Sequence, residues 1–205
     1  MTIWAIVPVK PLRLGKSRLS GVLSDDERAV LNRMFLEQTL DILRTIPRVT
    51  QTLVVSRDPA ALAIAREYGA RTVLEDGTPN LNSALNRATM LAKNYATRGV
   101  LVLPADLPTL TQDDLLEFFE HVCEPPCMVI TPDRHVDGTN AMLMAPAGLV
   151  PYAFGPGSFA RHCESAKNIG ARLEIVRNEN IELDLDTPAD LALLKQIEQS
   201  KPQGD

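Results

Sequence analysis

The hydrophobic positions of this chain fall into short apolar runs that alternate with longer amphipathic segments. The apolar runs have the length of strands and are bounded by turn-forming residues, which is typical of buried strands. The segments between them carry helix-start signals. Ser24 and Glu27 have capping-box spacing, and Asp58-Pro59 places a cap and a first-turn proline in their favoured order. In the first half, the predicted strands read IWAIVPV, TLVVS, RTVLE and GVLVLPAD.

Strands that alternate with helices in this way predict an α/β fold with a doubly wound sheet that is parallel in its first half. The second half is less regular. It contains the predicted strands CMVITP, NAMLMAP and RLEIV, a short helix around SFARHCESAKN and a final helix that starts near Pro188. Because no repeat and no long linker divides the 205 residues, we expect one domain over residues 1–198 and a disordered tail at 199–205.

Composition narrows the class of protein. A net charge of −5 argues against a nucleic-acid partner, and the absence of any run of 18 apolar residues argues against a membrane span. The first residues lack the features of a signal peptide. The three cysteines, Cys123, Cys127 and Cys163, have no second ligand pair to complete a zinc site. We therefore expect reduced thiols and a cytoplasmic location.

A basic loop follows the first strand and carries Lys10, Arg13, Lys16 and Arg18. Its GKS tripeptide looks like the end of a P-loop, but Lys10 stands where that pattern requires its first glycine. Ligands of open α/β sheets bind beyond the carboxyl ends of the strands. Because the chain as a whole is acidic, lysine and arginine side chains concentrated at this edge of the sheet favour an anion-binding loop over an ordinary solvated loop.

Three aspartates lie at or near predicted strand ends. Asp106 follows the most apolar strand, and Asp184 and Asp186 are two residues apart, so in an extended chain they share a face. A helix cap would explain Asp186 but not Asp184. Carboxylate oxygens suit magnesium, and magnesium with lysine and arginine neutralises a nucleoside triphosphate.

Two glycine-containing stretches, DGTNAML and FGPGSFARH, combine close backbone approach with hydroxyl or amide side chains. Such stretches can contact an anion. In the second of them, Ser158 lies near the start of a predicted helix, where phosphate and carboxylate groups bind readily.

Taken in order, VPVKPLRLGKSRLS, PADLP, DGTNAM, FGPGSFARH and LDLDTPADL resemble the guanylyltransferase family of deazaflavin coenzyme F-420 biosynthesis. Members of that family transfer GMP from GTP to phosphoenolpyruvate or 2-phospho-L-lactate. The resemblance covers about residues 3–195. It implies a single-domain, Rossmann-like mixed sheet of the nucleotide-diphospho-sugar transferase (glycosyltransferase A-like) fold, with one antiparallel strand.

The resemblance also implies a role for each matched residue, with GTP as substrate and Mg²⁺ as cofactor. The implied catalytic residues are Lys16, Arg18 and Asp106, of which Lys16 and Arg18 bind the triphosphate. The implied magnesium ligands are Asp106, Asp184 and Asp186, and the acceptor-binding residues are Thr139, Gly155 and Ser158. The stretch EDGTPNLNSALNRA matches the nucleobase and ribose loop of the family, and the other nucleotide-binding residues are Pro8, Lys10, Leu81, Asn82, Ala84 and Pro104.

The implied chemistry needs no general base, because the nucleophile is a phosphate oxygen that is already ionised at neutral pH. Catalysis then consists of positioning and charge neutralisation. His121 and His135 need no catalytic role, whereas His162, which lies in a matched motif, either packs or contacts substrate.

Several alternatives stay open from the sequence. The acceptor is phosphoenolpyruvate, which we favour, or 2-phospho-L-lactate. A nucleotidyltransferase of the same fold could instead use a sugar phosphate or a molybdopterin, and a protein of another class could bind a nucleotide without catalysis. The expected partners are these small molecules, with room for a homodimer.

Overall fold

A computed structural model describes residues 2–200, and within them seven strands form one mixed sheet. The strand order is β3-β2-β1-β4-β6-β5-β7. The strands are β1 (Ile3–Val9), β2 (Val49–Ser56), β3 (Arg71–Leu74), β4 (Gly99–Val102), β5 (Cys127–Pro132), β6 (Thr139–Ala145) and β7 (Arg172–Ile175).

Residues 2–200 also contain seven α-helices, of which five lie between strands and two follow the last strand, and the first helix starts follow the sequence signals. The Ser24 side chain accepts a hydrogen bond from the backbone N–H of Glu27, whose carboxylate accepts from the N–H of Ser24. Asp58 caps the second helix, which begins at a proline. The helices are α1 (Asp25–Thr45), α2 (Pro59–Glu67), α3 (Leu81–Lys93), α4 (Gln112–Glu120), α5 (Ser158–Asn168), α6 (Glu179–Glu182) and α7 (Pro188–Ser200).

One strand runs against the others. β6 pairs antiparallel with both β4 and β5, whereas every other pairing in the sheet is parallel. This confirms the single antiparallel strand that the resemblance implied. Because β6 is reversed, its first residue, Thr139, lies at the edge where the parallel strands end.

The central strands of the sheet are buried on both faces, as the alternation along β1 shows. Ile3, Ala5 and Val7 pack with α1, α2 and α4 on one face, and Trp4 and Ile6 pack with α3 and α5 on the other. Central parallel strands are buried on both sides for this reason, and they read in the sequence as continuous apolar runs.

A smaller cluster connects two distant parts of the chain. Four buried residues pack against one another there: Leu19 after the basic loop, Phe35 on α1, Leu185 before α7, and Leu194 on α7. This cluster brings the basic loop against the segment that carries Asp184 and Asp186.

The C-terminal helix differs from the expectation. Residues 199 and 200, predicted to begin a disordered tail, belong to α7, and the remainder of that predicted tail, 201–205, lies outside the described residues. Across residues 2–200, no helix combines the length and apolar character needed to cross a membrane.

Candidate active site

A cleft of about 440 Å³ opens at the carboxyl edge of the sheet, in the range expected for a small-ligand site. It spans the point between β1 and β4 where the strand order reverses, which is where open α/β sheets bind their ligands. Its wall includes these residues expected to bind nucleotide or metal: Pro8, Lys10, Lys16, Leu81, Ala84, Pro104, Asp106 and Asp186.

The basic loop is fixed by side chains of α1. Arg28 donates a hydrogen bond to the carbonyl of Gly15 (3.1 Å), and Asn32 donates to the carbonyl of Leu12 (2.7 Å). A Cβ on Gly15 would lie 2.7 Å from the Asn32 amide nitrogen, so a larger residue there would displace the Asn32 amide that holds the loop. The next residue, Lys16, adopts the left-handed conformation (φ 55°), which is strained for a residue with a side chain.

This conformation buries Lys16, which is only 6% exposed. Its Nζ donates to the carbonyl of Leu185 (2.6 Å) and lies 5.3 Å from the centre of the Phe35 ring. Burial lowers the pKa of Lys16, although the three predicted metal-binding aspartates act to raise it. The Lys16 side chain therefore lies among the carboxylates at the base of the cleft.

The three aspartates meet at one edge because their backbones pair. The N–H of Leu185 donates to the carbonyl of Asp106 (3.0 Å), and Leu185 is buried between Asp184 and Asp186, which are only half-buried. Burial raises the pKa of Asp106. Burial, followed by the charge of Asp106, raises the pKa of Asp184 to about 6.

The carboxylates do not form a ready-made metal cluster. Among residues 2–200, no three acidic, histidine or cysteine side chains are close enough together to hold a metal ion. Asp186 pairs with the exposed Arg18 (2.8 Å), and Asp184 accepts a hydrogen bond from Asn140 (3.4 Å). The donors still fit a hard cation, because all are carboxylate oxygens and burial disfavours the charged forms of Asp106 and Asp184 in the absence of a cation.

Asp190, which the sequence analysis missed, holds this acidic segment in place. It is 4% exposed and accepts hydrogen bonds from the N–H groups of Thr187 (2.6 Å) and Asp186 (3.1 Å). It also pairs with Arg134 in the loop between β5 and β6. The spacing of Thr187 and Asp190 resembles a capping box and could have revealed this role.

The three predicted acceptor residues form a second cluster beside the cleft. The hydroxyl oxygens of Thr139 and Ser158 are 3.1 Å apart, and the Ser158 N–H donates to the carbonyl of Gly155. Gly155 has a φ of 125°, which favours glycine. Asn140 follows Thr139 and contacts Asp184, so this cluster borders the acidic segment.

His162 lies beneath that cluster and is fully buried. Its Nε2 accepts a hydrogen bond from the N–H of Ala153 (2.9 Å), so a neutral ring carries its proton on Nδ1, 3.1 Å from the Thr139 hydroxyl. Burial, assisted by the charge of Arg161, lowers the pKa of His162 to about 4. The sequence left open whether His162 packs or contacts substrate. In the structure, it packs against Phe154 and holds Thr139.

This burial predicts a pH dependence of stability. Between pH 6.5, the ordinary pKa of histidine, and pH 4, the unfolded chain binds a proton at His162 that the folded chain does not. The contribution of His162 to the free energy of unfolding is therefore complete above pH 6.5 and falls by up to about 3 kcal/mol as the pH is lowered to 4. Denaturant unfolding at pH 6.5 and at pH 4 should show this loss in the wild type but not in His162→Gln. The exposed His135→Gln should behave as the wild type, and an unchanged pH slope in His162→Gln would contradict the assignment.

Asn82 has different contacts from those expected of a nucleotide-binding side chain. Its amide donates to the carbonyl of Phe154 (3.2 Å) and accepts from the Phe154 N–H (2.8 Å), so it ties α3 to the segment before Gly155. Its predicted neighbours Leu81 and Ala84 do line the cleft.

Two charged residues also line the cleft wall; sequence reasoning gave Arg57 no role and placed Glu75 only within the loop, residues 75–84, expected to contact the base. Arg57 directly follows β2, and Glu75 directly follows β3. Their positions after predicted strands were the available signal, since these positions fall at the ligand-binding edge.

Comparison with solved structures shows the class of fold. A nucleotidyl transferase from Methanothermobacter thermautotroptrophicus matches 96% of this chain and 97% of its own, with a TM-score of 0.72 and 15% identity. The 4-diphosphocytidyl-2C-methyl-D-erythritol synthase of Anaerococcus prevotii matches 97% and 96%, with a TM-score of 0.67 and 14% identity. The fold is thus that of the nucleotidyltransferases, as expected.

Sequence comparison narrows the class to a family. Residues 3–197 match the family described as "Guanylyl transferase CofC like", and the chain belongs to it. The phosphoenolpyruvate guanylyltransferase of Rubrobacter xylanophilus is 42% identical over 95% of this chain and 94% of its own length. The protein of the same name from Sphaerobacter thermophilus is 37% identical over 93% and 91%.

Proposed function

We propose that this protein transfers GMP from GTP to phosphoenolpyruvate and releases pyrophosphate, as a step in coenzyme F-420 biosynthesis. The observation that carries the proposal is the buried Lys16 among three carboxylates in a cleft of nucleotide size. The names of relatives that are up to 42% identical support guanylyl transfer and favour phosphoenolpyruvate over 2-phospho-L-lactate as acceptor.

In the proposed reaction, a phosphate oxygen of the acceptor forms a bond to the α-phosphorus of GTP. The bond between the α-phosphorus and the oxygen that bridges to the β-phosphorus breaks, and its electrons leave with pyrophosphate. Lys16 and Lys10, on the cleft wall, are placed to neutralise the phosphates. Magnesium, which Asp106, Asp184 and Asp186 would hold, supplies further neutralisation of phosphate charge when bound.

The acceptor carries a phosphate and a carboxylate on three carbons, so its binding depends on hydrogen-bond donors. The hydroxyls of Thr139 and Ser158, next to the Gly155 turn, supply donors beside the acidic segment. His162 orders this set, because its Nδ1–H points to the Thr139 oxygen and leaves the Thr139 proton free to be donated onward.

The direct test is pyrophosphate release from GTP and magnesium with each acid in turn. We expect turnover with phosphoenolpyruvate to exceed turnover with 2-phospho-L-lactate. Faster reaction with 2-phospho-L-lactate would reverse the acceptor assignment, and no pyrophosphate release with either acid would refute the proposed reaction.

Removal of one acceptor hydroxyl should separate the two halves of the site. Ser158→Ala is expected to raise the KM for phosphoenolpyruvate about 10-fold, the cost of one lost hydrogen bond, with GTP binding unchanged. The matched control is Ser165→Ala on the same helix, where the hydroxyl bonds only the carbonyl of Arg161. Weaker GTP binding in Ser158→Ala, with an unchanged KM for the acid, would place this serine in the nucleotide half.

A further inference from the structure

The cleft is elongated along the edge of the sheet. Its wall passes from Asp106 after β4 to Lys16 after β1, then to Arg57 after β2 and Glu75 after β3. Neighbouring strands are about 4.8 Å apart, so Glu75 and Asp106 are separated by roughly 14 Å across three strand spacings. A nucleotide whose phosphates lie at Lys16 and Asp106 can therefore extend its base toward Glu75. The opposite direction leads instead to the acceptor cluster at Thr139.

The Glu75 end of the cleft has the form of a base pocket. Pro79, Leu81 and Ala84 contribute apolar surface to its wall, suited to the faces of a planar ring. Arg57 lines the same end and donates a hydrogen bond to the carbonyl of Gly77, which holds the loop after β3 in place.

Glu75 itself is half-buried and anchored. Its N–H donates to the carbonyl of Ser56 at the end of β2 (2.9 Å), and its Oε1 accepts from the N–H of Asn80 (3.2 Å). A carboxylate has about four acceptor sites, so the bond from Asn80 leaves capacity for further donors. The anchored carboxylate is a fixed acceptor on the pocket wall, beside the apolar surface of Pro79, Leu81 and Ala84.

We propose that Glu75 selects guanine by accepting hydrogen bonds from its N1–H and its N2 amino group. This inference rests on the proposed guanylyl transfer and adds the residue that reads the base. Guanine presents two adjacent donors on this edge, which match the two oxygens of one carboxylate. Adenine presents an acceptor at N1 and no amino group at C2, so it would offer the carboxylate no donor and would place its N1 lone pair against a carboxylate oxygen, a costly arrangement in a partly buried site. Arg57 offers donors suited to the O6 acceptor of guanine.

The test exchanges the carboxylate for an amide. Glu75→Gln presents one acceptor and one donor, which match the N1–H and the C2 carbonyl of xanthine. We expect the ratio of kcat/KM for GTP to that for XTP to fall about 100-fold relative to the wild type, through loss with GTP and gain with XTP. The matched control is Asp76→Asn, which removes the same charge at the neighbouring exposed residue and should keep the wild-type ratio.

Two readouts keep this test separate from that of the proposed function. Pyrophosphate release by the wild type with GTP tests the reaction itself, before any variant is made. If Glu75→Gln turns over neither nucleotide, the ratio of their dissociation constants is measured instead, with the same expected shift. A ratio equal to that of the wild type would overturn the proposal.

In the wild type, ITP, which lacks the N2 amino group, should have a kcat/KM about 10-fold below that of GTP. Equal values would also overturn it, even if the variant failed to fold.

Discussion

Asp184→Asn is expected to lower the rate of pyrophosphate release by on the order of 10²–10³-fold, the scale for loss of one preorganised electrostatic contact. The amide keeps the shape of the side chain but removes the negative charge proposed to hold magnesium. The same substitution should not lower the melting temperature. Asp184 is half-buried and burial raises its pKa to about 6, so its ionised form is costly to the folded chain.

The measurement is a magnesium titration of the initial rate, with a thermal melt of each variant. The apparent KM for magnesium should rise in Asp184→Asn. Asp41→Asn removes an equal charge from the exposed Asp41–Arg44 pair on α1 and should leave both rate and magnesium dependence unchanged. Full activity of Asp184→Asn at the wild-type magnesium concentration would remove this residue from the site.

Lys16→Met is expected to lower the rate by about 10²-fold or more, with a melting temperature that stays the same or rises. Methionine fills the buried space beside Phe35 but cannot neutralise the departing pyrophosphate. The ammonium is 6% exposed and burial lowers its pKa, so the folded chain loses little by its removal. Activity and stability should therefore change independently.

Single-turnover rates and melts of Lys16→Met should be compared with those of Lys93→Met, in which the lysine is exposed on the last turn of α3. The control should retain the wild-type rate. A large fall in melting temperature for Lys16→Met would mean that Lys16 mainly neutralises the aspartates for folding. An unchanged rate would exclude it from the reaction.

The acidic segment shows why tertiary contacts limited the prediction of the site. The alternation of Asp184, Leu185 and Asp186 predicts that the two carboxylates share a face, and in the structure they flank the buried Leu185. The ion pair between Arg18 and Asp186 joins residues 168 positions apart, and no local pattern encodes it. The magnesium role of these aspartates stays a prediction, because within residues 2–200 no three acidic, histidine or cysteine side chains lie close enough together to hold a metal ion.

Asn82 and Glu75 illustrate the same limit at the nucleotide end. The sequence places both in one loop of small polar residues, where any of them could contact the ligand. Only the fold shows that the Asn82 amide is used by the backbone of Phe154 while Glu75 lines the cleft.

The sequence by itself determined the order and approximate bounds of most elements, because capping and burial act over a few residues. The Ser24–Glu27 box and Asp58-Pro59 marked helix starts, and the apolar runs marked strands that are buried on both faces. The four-residue helix α6 was missed, since so short a segment has no detectable periodicity.

Tertiary structure alone decided how the loops meet. The burial of Leu19 against Leu185 brings Lys16 to the carboxylates, and the reversal of β6 brings Thr139 to the same edge, because these contacts form only when distant segments pack together.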